Sequence, residues 1–190
     1  MSKEMLDYLN TKMEKPIFID FEASSINGFP LQVAYGSCEE DLKYFLIKPL
    51  AEWNNEEHLW SFDSQEIHGF SKRYINEYGI NPESVAREVS DDLNGKVIYA
   101  DSKADMAWLN MLLNDVARLT GEDYPIPEFK LISTLAYEQK IPSSIAVKAQ
   151  IMAEKKFKVY GLIAHKADSD TLKHIWTWNA IQEIKSNNYE

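Results

Sequence analysis

Apolar and polar positions change period several times along the chain, and each change marks an element. The run Pro16 to Ala23 (PIFIDFEA) predicts a strand, and two more follow at Leu31 to Ser37 and Leu42 to Ile47 across turn-length gaps. Three consecutive strands with short connections predict an antiparallel meander. Beyond a loop-rich stretch from Pro49 to Pro82, the pattern predicts a helix over Glu83 to Leu93, a strand at Lys96 to Ala100 and a helix from Lys103 to Leu119. Phe129 to Leu135 reads as a fifth strand, Ser143 to Glu154 as a helix and Asp168 to Lys185 as a last one. A meander followed by alternating helices and strands predicts an α/β layered domain. Ahead of it, Lys3 to Met13 reads as a short helix with Met5, Leu6, Leu9 and Met13 on one side, a packing arm occupying residues 1–14. With no repeat, low-complexity tract or Gly/Ser-rich linker, residues 1–190 read as a single domain.

Composition narrows the function classes. The hydrophobic fraction of 45% and aromatic fraction of 12% predict a real core rather than a disordered chain. One cysteine, Cys38, excludes an internal disulfide and a multi-thiolate zinc site, so a metal would be held by oxygen and histidine. The formal charge of −10 argues against a protein that coats nucleic acid with its whole surface. It argues less against an enzyme whose phosphate contacts run through bound cations. Absence of a signal-peptide pattern or a bilayer-length apolar run leads to the expectation of a cytoplasmic protein with no membrane partner.

Candidate chemistry lies in the acids. Asp20 and Glu22 stand two apart on the first strand, so both side chains share a face, among apolar Ile17, Phe18, Ile19 and Phe21. Two carboxylates there repel each other and lose hydration, which a divalent cation offsets with hard oxygen ligands; a strand end facing water would also accommodate them. Asp105 shares a helical stripe with Trp108, Leu109, Leu112 and Val116, and so belongs to the face packed on the sheet. The run Ser102-Lys103-Ala104-Asp105 reads equally as a capping box, a use that competes with cation binding. Asp170 falls in the first turn of the last helix on the side of Thr177, Ile181 and Ile184, where the macrodipole favours an acid; Asp168 could supply that cap instead. His165 precedes Asp170 by five residues. Lys148, Lys155, Lys156 and Lys158 form a basic cluster that either meets phosphates or is a solvated helix face. Trp53, Trp60 and Phe70 offer stacking surfaces for unpaired bases, with loop or core packing the plainer account.

The order of three runs, IFIDFEASS (Ile17 to Ser25), YADSKADMAWL (Tyr99 to Leu109) and HKADSD (His165 to Asp170), resembles the DEDD exonuclease superfamily. More narrowly it is similar to the histidine branch (DEDDh), which includes the proofreading subunit of bacterial replicative polymerases. The resemblance spans Ile17 to about Trp178. It implies a ribonuclease H-like fold: a central five-stranded mixed sheet, antiparallel meander then parallel strands, flanked by helices. It implies a 3′–5′ exonuclease in which Asp20, Glu22, Asp105 and Asp170 hold two Mg²⁺ or Mn²⁺ ions and His165 is the general base, in the pattern His-x-Ala-x-x-Asp. The tyrosine branch would carry Tyr where Lys166 stands. Ala23, Ser24, His68 (in the segment Glu66 to Ser71) and Trp108 are the implied substrate-lining residues. The implied partner is the 3′ end of single-stranded DNA or RNA, with a homodimer or a polymerase-associated complex as the expected assembly.

Two departures stand out. Many members carry His-Asn-x-x-Phe-Asp around the third acid, whereas this chain has Asp101-Ser102-Lys103-Ala104-Asp105, which makes Asp101 a competitor of Asp105. The first motif ends Glu-Ala-Ser instead of Glu-Thr. Rival readings are an exonuclease-like binding or accessory module, disfavoured by retention of all five polar residues, and a phosphatase with an aspartyl nucleophile, which would want Asp where Glu22 stands.

Overall fold

The computed structural model describes residues 15–55 and 57–187, so the predicted arm at 1–14 lies outside the described residues. Five strands form one mixed sheet in the order β3-β2-β1-β4-β5: β1 (Ile17–Ala23), β2 (Pro30–Gly36), β3 (Lys43–Leu46), β4 (Val97–Ala100) and β5 (Glu128–Leu131). The first three pair antiparallel, as the meander requires, while β4 and β5 run parallel to β1. β1 is therefore central, paired on both edges. Its register against β2 shifts between Glu22 and Ala23, the kind of local irregularity that re-aims side chains at a strand end.

The helices are α1 (Ala51–Asn54), α2 (Phe62–His68), α3 (Lys72–Tyr78), α4 (Pro82–Leu93), α5 (Lys103–Thr120), α6 (Ile132–Glu138), α7 (Ser143–Val159) and α8 (Ala167–Asn187), with a 3-10 turn at Glu57–Leu59. Alternation along β1 divides the core. Ile19 and Phe21 point to the larger cluster with Val33, Val89, Leu109 and Leu113, under α4 and α5. Phe18 points the other way, to a smaller cluster with Ile175, Trp178 and Ile181 of α8. Asp20 and Glu22 share the parity of Phe18 and so emerge on the α8 side. No described helix is long and apolar enough to cross a membrane.

Two stretches differ from the pattern-based expectation. The segment read as a strand from Phe129 to Leu135 leaves the sheet after Leu131 and becomes α6. The reason is the ladder: β4 ends at Ala100, which pairs with Leu131, so residues beyond it have no neighbour to bond, and a helix buries Leu135 instead. The stretch Pro49 to Pro82, expected to be loop-rich, contains three short helices. Side-chain caps hold two of them: Ser61 Oγ accepts from the Ser64 amide at 3.3 Å, and Ser71 Oγ from the Tyr74 amide at 3.1 Å. Segments of four to seven residues complete too few turns to display a 3.6-residue period, which is why hydrophobic patterning passes over them.

Candidate active site

The site forms at the C-terminal end of β1, where four elements converge. β1 contributes Asp20 and Glu22, the end of β4 leads to Asp101, the first turn of α5 carries Asp105, and the first turn of α8 carries Asp170 with His165 just before it. Ligand atoms of Glu22, His165 and Asp170 lie within 4.8 Å of one another, and so do those of Asp20, Asp101 and Asp105. Asp101 thus joins Asp105 beside Asp20 rather than replacing it. These groups sit in a cleft of about 690 Å³ whose walls include Trp108, His174 and the apolar faces of α6 and α8.

Asp105 is at once a first-turn acid beside the Ser102 cap and a buried member of the cluster. It is only 2% exposed. Ser102 does cap α5, its hydroxyl accepting from the Ala104 amide at 3.0 Å. The Asp105 Oδ1 accepts from the Phe21 amide of β1 at 3.2 Å, which ties α5 to the strand that carries the first two acids. Its Oδ2 is buried without a hydrogen-bond partner. Buried polar oxygens are seldom left so, and a hard cation among these carboxylates would supply the missing partner.

Burial and mutual repulsion leave the carboxyls weakly acidic. Asp20 is pushed well above the usual carboxylate range by burial, with Asp105, Glu22, Asp170 and Asp101 adding repulsion. Glu22 rises to about 7 through burial and then Asp170, against which Lys166 acts. Asp105 rises to about 7 through burial and Asp101, opposed by the Phe21 and Ser102 amides. Asp170 is raised by burial, while the His165 amide holds it down. Oxygen donors that repel one another in a confined space suit a divalent cation in chemistry as well as in placement.

The loop before α8 is fastened at several points. His165 has a left-handed backbone, φ 59°, a region that histidine enters more readily than most residues. Its amide donates to Asp170 Oδ2 at 2.8 Å and its side chain is exposed. Lys166 Nζ donates to the His68 carbonyl and lies 3.5 Å from the Phe70 ring centroid. Gln32 of β2, 4% exposed, accepts from the Ala167 amide at 2.9 Å and donates to Asp168 Oδ1 at 3.0 Å. Asp168 is thereby engaged with β2, and the acid facing Glu22 is Asp170.

Of the four residues expected to line the substrate, Trp108 lines the cleft, whereas Ala23, Ser24 and His68 are not among its lining residues. Ala23 and Ser24 are buried at the end of β1; the Ser24 hydroxyl accepts from the Phe29 amide at 2.9 Å and donates to the Leu59 carbonyl at 2.7 Å, holding the turn into β2. His68 is buried, its Nδ1 accepting from the Phe70 amide at 3.0 Å, and burial together with the Lys166 charge lowers its pKa to about 4. Trp53 and Phe70 are core residues and Trp60 packs against the same cluster. Lys148, Lys155, Lys156 and Lys158 stand outside the cleft lining; Lys156 pairs with Glu39 at 2.6 Å and Lys158 with Glu154 at 3.4 Å.

Two cleft residues escape sequence reasoning. His174 stacks on Phe18 with centroids 6.0 Å apart, and its Nε2 is 4.0 Å from Asp101 Oδ2. Lys173 lines the same wall. The available signal was their spacing of three and four residues from Asp170, which sets all three on one helical face.

No protein-family profile matches the chain, and no curated protein sequence does. Solved structures do. The nuclease domain of 3′hExo, a DEDDh family member bound to rAMP, aligns with a TM-score of 0.55 at 18% identity over 90% of this chain and 91% of that one. Escherichia coli exonuclease I in complex with a dA16 oligonucleotide aligns with a TM-score of 0.56 at 13% identity, over 88% of this chain and 40% of that one. The same enzyme with a 5cy-dT13 oligonucleotide gives 0.55 at 13% identity, over 92% and 42%. The chain therefore spans about two-fifths of exonuclease I. The shared fold is the ribonuclease H-like arrangement of a mixed five-stranded sheet flanked by helices.

Proposed function

We propose that this protein is a metal-dependent 3′–5′ exonuclease that removes nucleoside 5′-monophosphates from the 3′ end of a single-stranded nucleic acid. The observation that carries the reading is the gathering of Asp20, Glu22, Asp105 and Asp170, from three separate elements, with His165 beside Glu22 and Asp170. Support for the substrate class comes from the fold neighbours, one bound to rAMP and another to single-stranded DNA oligonucleotides.

Asp20 would be shared between two cation positions, Glu22 and Asp170 completing one and Asp105, assisted by Asp101, the other. Two divalent cations, when bound, supply activation of the attacking water and neutralise charge on the departing 3′ oxygen. The chain's own groups do the rest. The imidazole of His165, exposed at the cleft, accepts the proton released as water attacks phosphorus. The P–O3′ bond breaks, the 3′ oxygen takes up a proton, and the strand is one nucleotide shorter. Gln32, accepting from the Ala167 amide and donating to Asp168, keeps the entry to α8 in place during this step, and the His165 amide orients the Asp170 carboxylate.

The test is a digestion time course on matched single-stranded DNA and RNA labelled at the 5′ end, with Mg²⁺ or Mn²⁺. The expected result is a ladder that shortens one nucleotide at a time, stops with a chelator and resumes when metal is restored. Asp20→Asn should stop it permanently. A wild-type protein that leaves both strands intact with either metal overturns the proposal.

A further inference from the structure

Six acids line the cleft, Asp20, Glu22, Asp101, Asp105, Glu154 and Asp170, whereas Lys173 is the one lysine or arginine among its described lining residues. Lys173 follows Asp170 by three residues on α8, so the two stand one turn apart on the same face. Its ammonium pairs with Glu154 of α7 at 2.5 Å, and Glu154 is shared with Lys158 at 3.4 Å. The positive charge faces the acid centre, acting against the burial that raises the Asp170 pKa. Thr177 of α8 and Ala136 of α6 are also on the cleft's walls, and its volume of about 690 Å³ leaves room beside the acids, with Lys173 as the cation among them.

We propose that Lys173 binds the phosphate on the 5′ side of the scissile one, and that Glu154 holds its ammonium beside the acids until the strand arrives. The direction follows from chemistry. A terminal 3′ nucleotide has no phosphate beyond it, so a second phosphate within the cleft belongs to the 5′ side. The exchange is inexpensive because one anion replaces another on the same ammonium, and half-exposed ion pairs contribute little to stability. A lysine suits the role as a point charge on a flexible stem that can follow a moving phosphate. This placement rests on the exonuclease reading for the position of the scissile bond.

The experiment measures binding separately from cleavage. Equilibrium affinities of the wild type, Lys173→Gln and Glu154→Gln are determined in Ca²⁺, to hold the strands uncleaved, for a fluorescent ten-nucleotide single strand. The same strand is also made with a neutral methylphosphonate at the linkage just 5′ of the scissile one. Lys173→Gln is expected to weaken binding of the all-phosphate strand about tenfold, as for a lost charge-assisted contact, and to leave the methylphosphonate strand within twofold of the wild type. Glu154→Gln, by freeing the ammonium, is expected to tighten the all-phosphate strand alone. Unchanged binding of the neutral strand also reports an intact fold. Equal weakening of both strands by Lys173→Gln, weakening of neither, or no strand binding by the wild type overturns the proposal. A wild type that binds with this pattern yet does not shorten the strand in Mg²⁺ or Mn²⁺ instead overturns the exonuclease reading and leaves the phosphate contact standing.

Discussion

His165 is defined by its backbone as much as by its ring. The left-handed φ of 59° turns the chain sharply before α8, and the side chain is exposed, so little packing is lost on replacing it. His165→Ala should keep its melting temperature within about 2 °C while turnover falls roughly 10²–10⁴-fold, the range for a removed general base. His165→Asn is the stricter control, since asparagine tolerates the same backbone region but cannot take the proton. Full activity in either variant would remove the base assignment. At this scale residue type and spacing offered Asp20 and Glu22 as candidates, and His165 entered only through the family resemblance. Lys173 and His174 were not, because a lysine and a histidine on an amphipathic helix look like surface residues until the cleft wall is known.

Elements convert these residues into a site through a few long-range tethers. The Asp105 bond to the Phe21 amide joins α5 to β1. Gln32 and Thr171, the latter donating to the Ala34 carbonyl at 3.3 Å, join α8 to β2. Because Gln32 is buried and uses both ends of its amide, Gln32→Leu strands the Ala167 amide and one Asp168 oxygen. It should cost about 1–3 kcal/mol, seen as a fall in melting temperature of roughly 3–10 °C. Turnover should fall too, because His165 lies two residues before the released segment. A variant that melts with the wild type would show that the tether carries no weight. The helices and strands themselves were largely readable from periodicity; β5 was overextended because ladder partners are not written in local sequence.

For the molecule as a whole, the acid cluster links pH, metal and stability. The folded state raises the Asp105 pKa to about 7, so between roughly pH 4 and 7 it keeps a proton that the unfolded chain has released. Stability from this source is complete below pH 4 and is lost as pH rises through 7; with Asp105 almost fully buried the loss is on the order of 4 kcal/mol. Asp105→Asn removes the charge and can still accept from the Phe21 amide. Without metal, the variant should melt above the wild type at pH 8 and by a clearly smaller margin at pH 5. Mg²⁺ or Mn²⁺ should raise the wild-type melting temperature at pH 8 much more than at pH 5, and raise that of the variant less. Thermal melts at the two pH values check this; a wild type insensitive to metal at pH 8 would contradict it.

Sequence alone determined the succession of the longer elements, the sharing of one face of β1 by Asp20 and Glu22, and the placement of acids at the starts of α5 and α8, because periods of 2 and 3.6 are local properties. Tertiary structure decided which acids meet, since neighbours 84 and 136 residues apart in sequence, Phe21 with Asp105 and Gln32 with Asp168, are joined only by the folded sheet. It also decided that Asp105 faces the cluster with an unpartnered oxygen, that Asp101 stands with it rather than in its place, and that Lys173 shares their cleft. Burial and proximity, which set the charge state of every group in the site, depend on how distant segments pack and have no local signature.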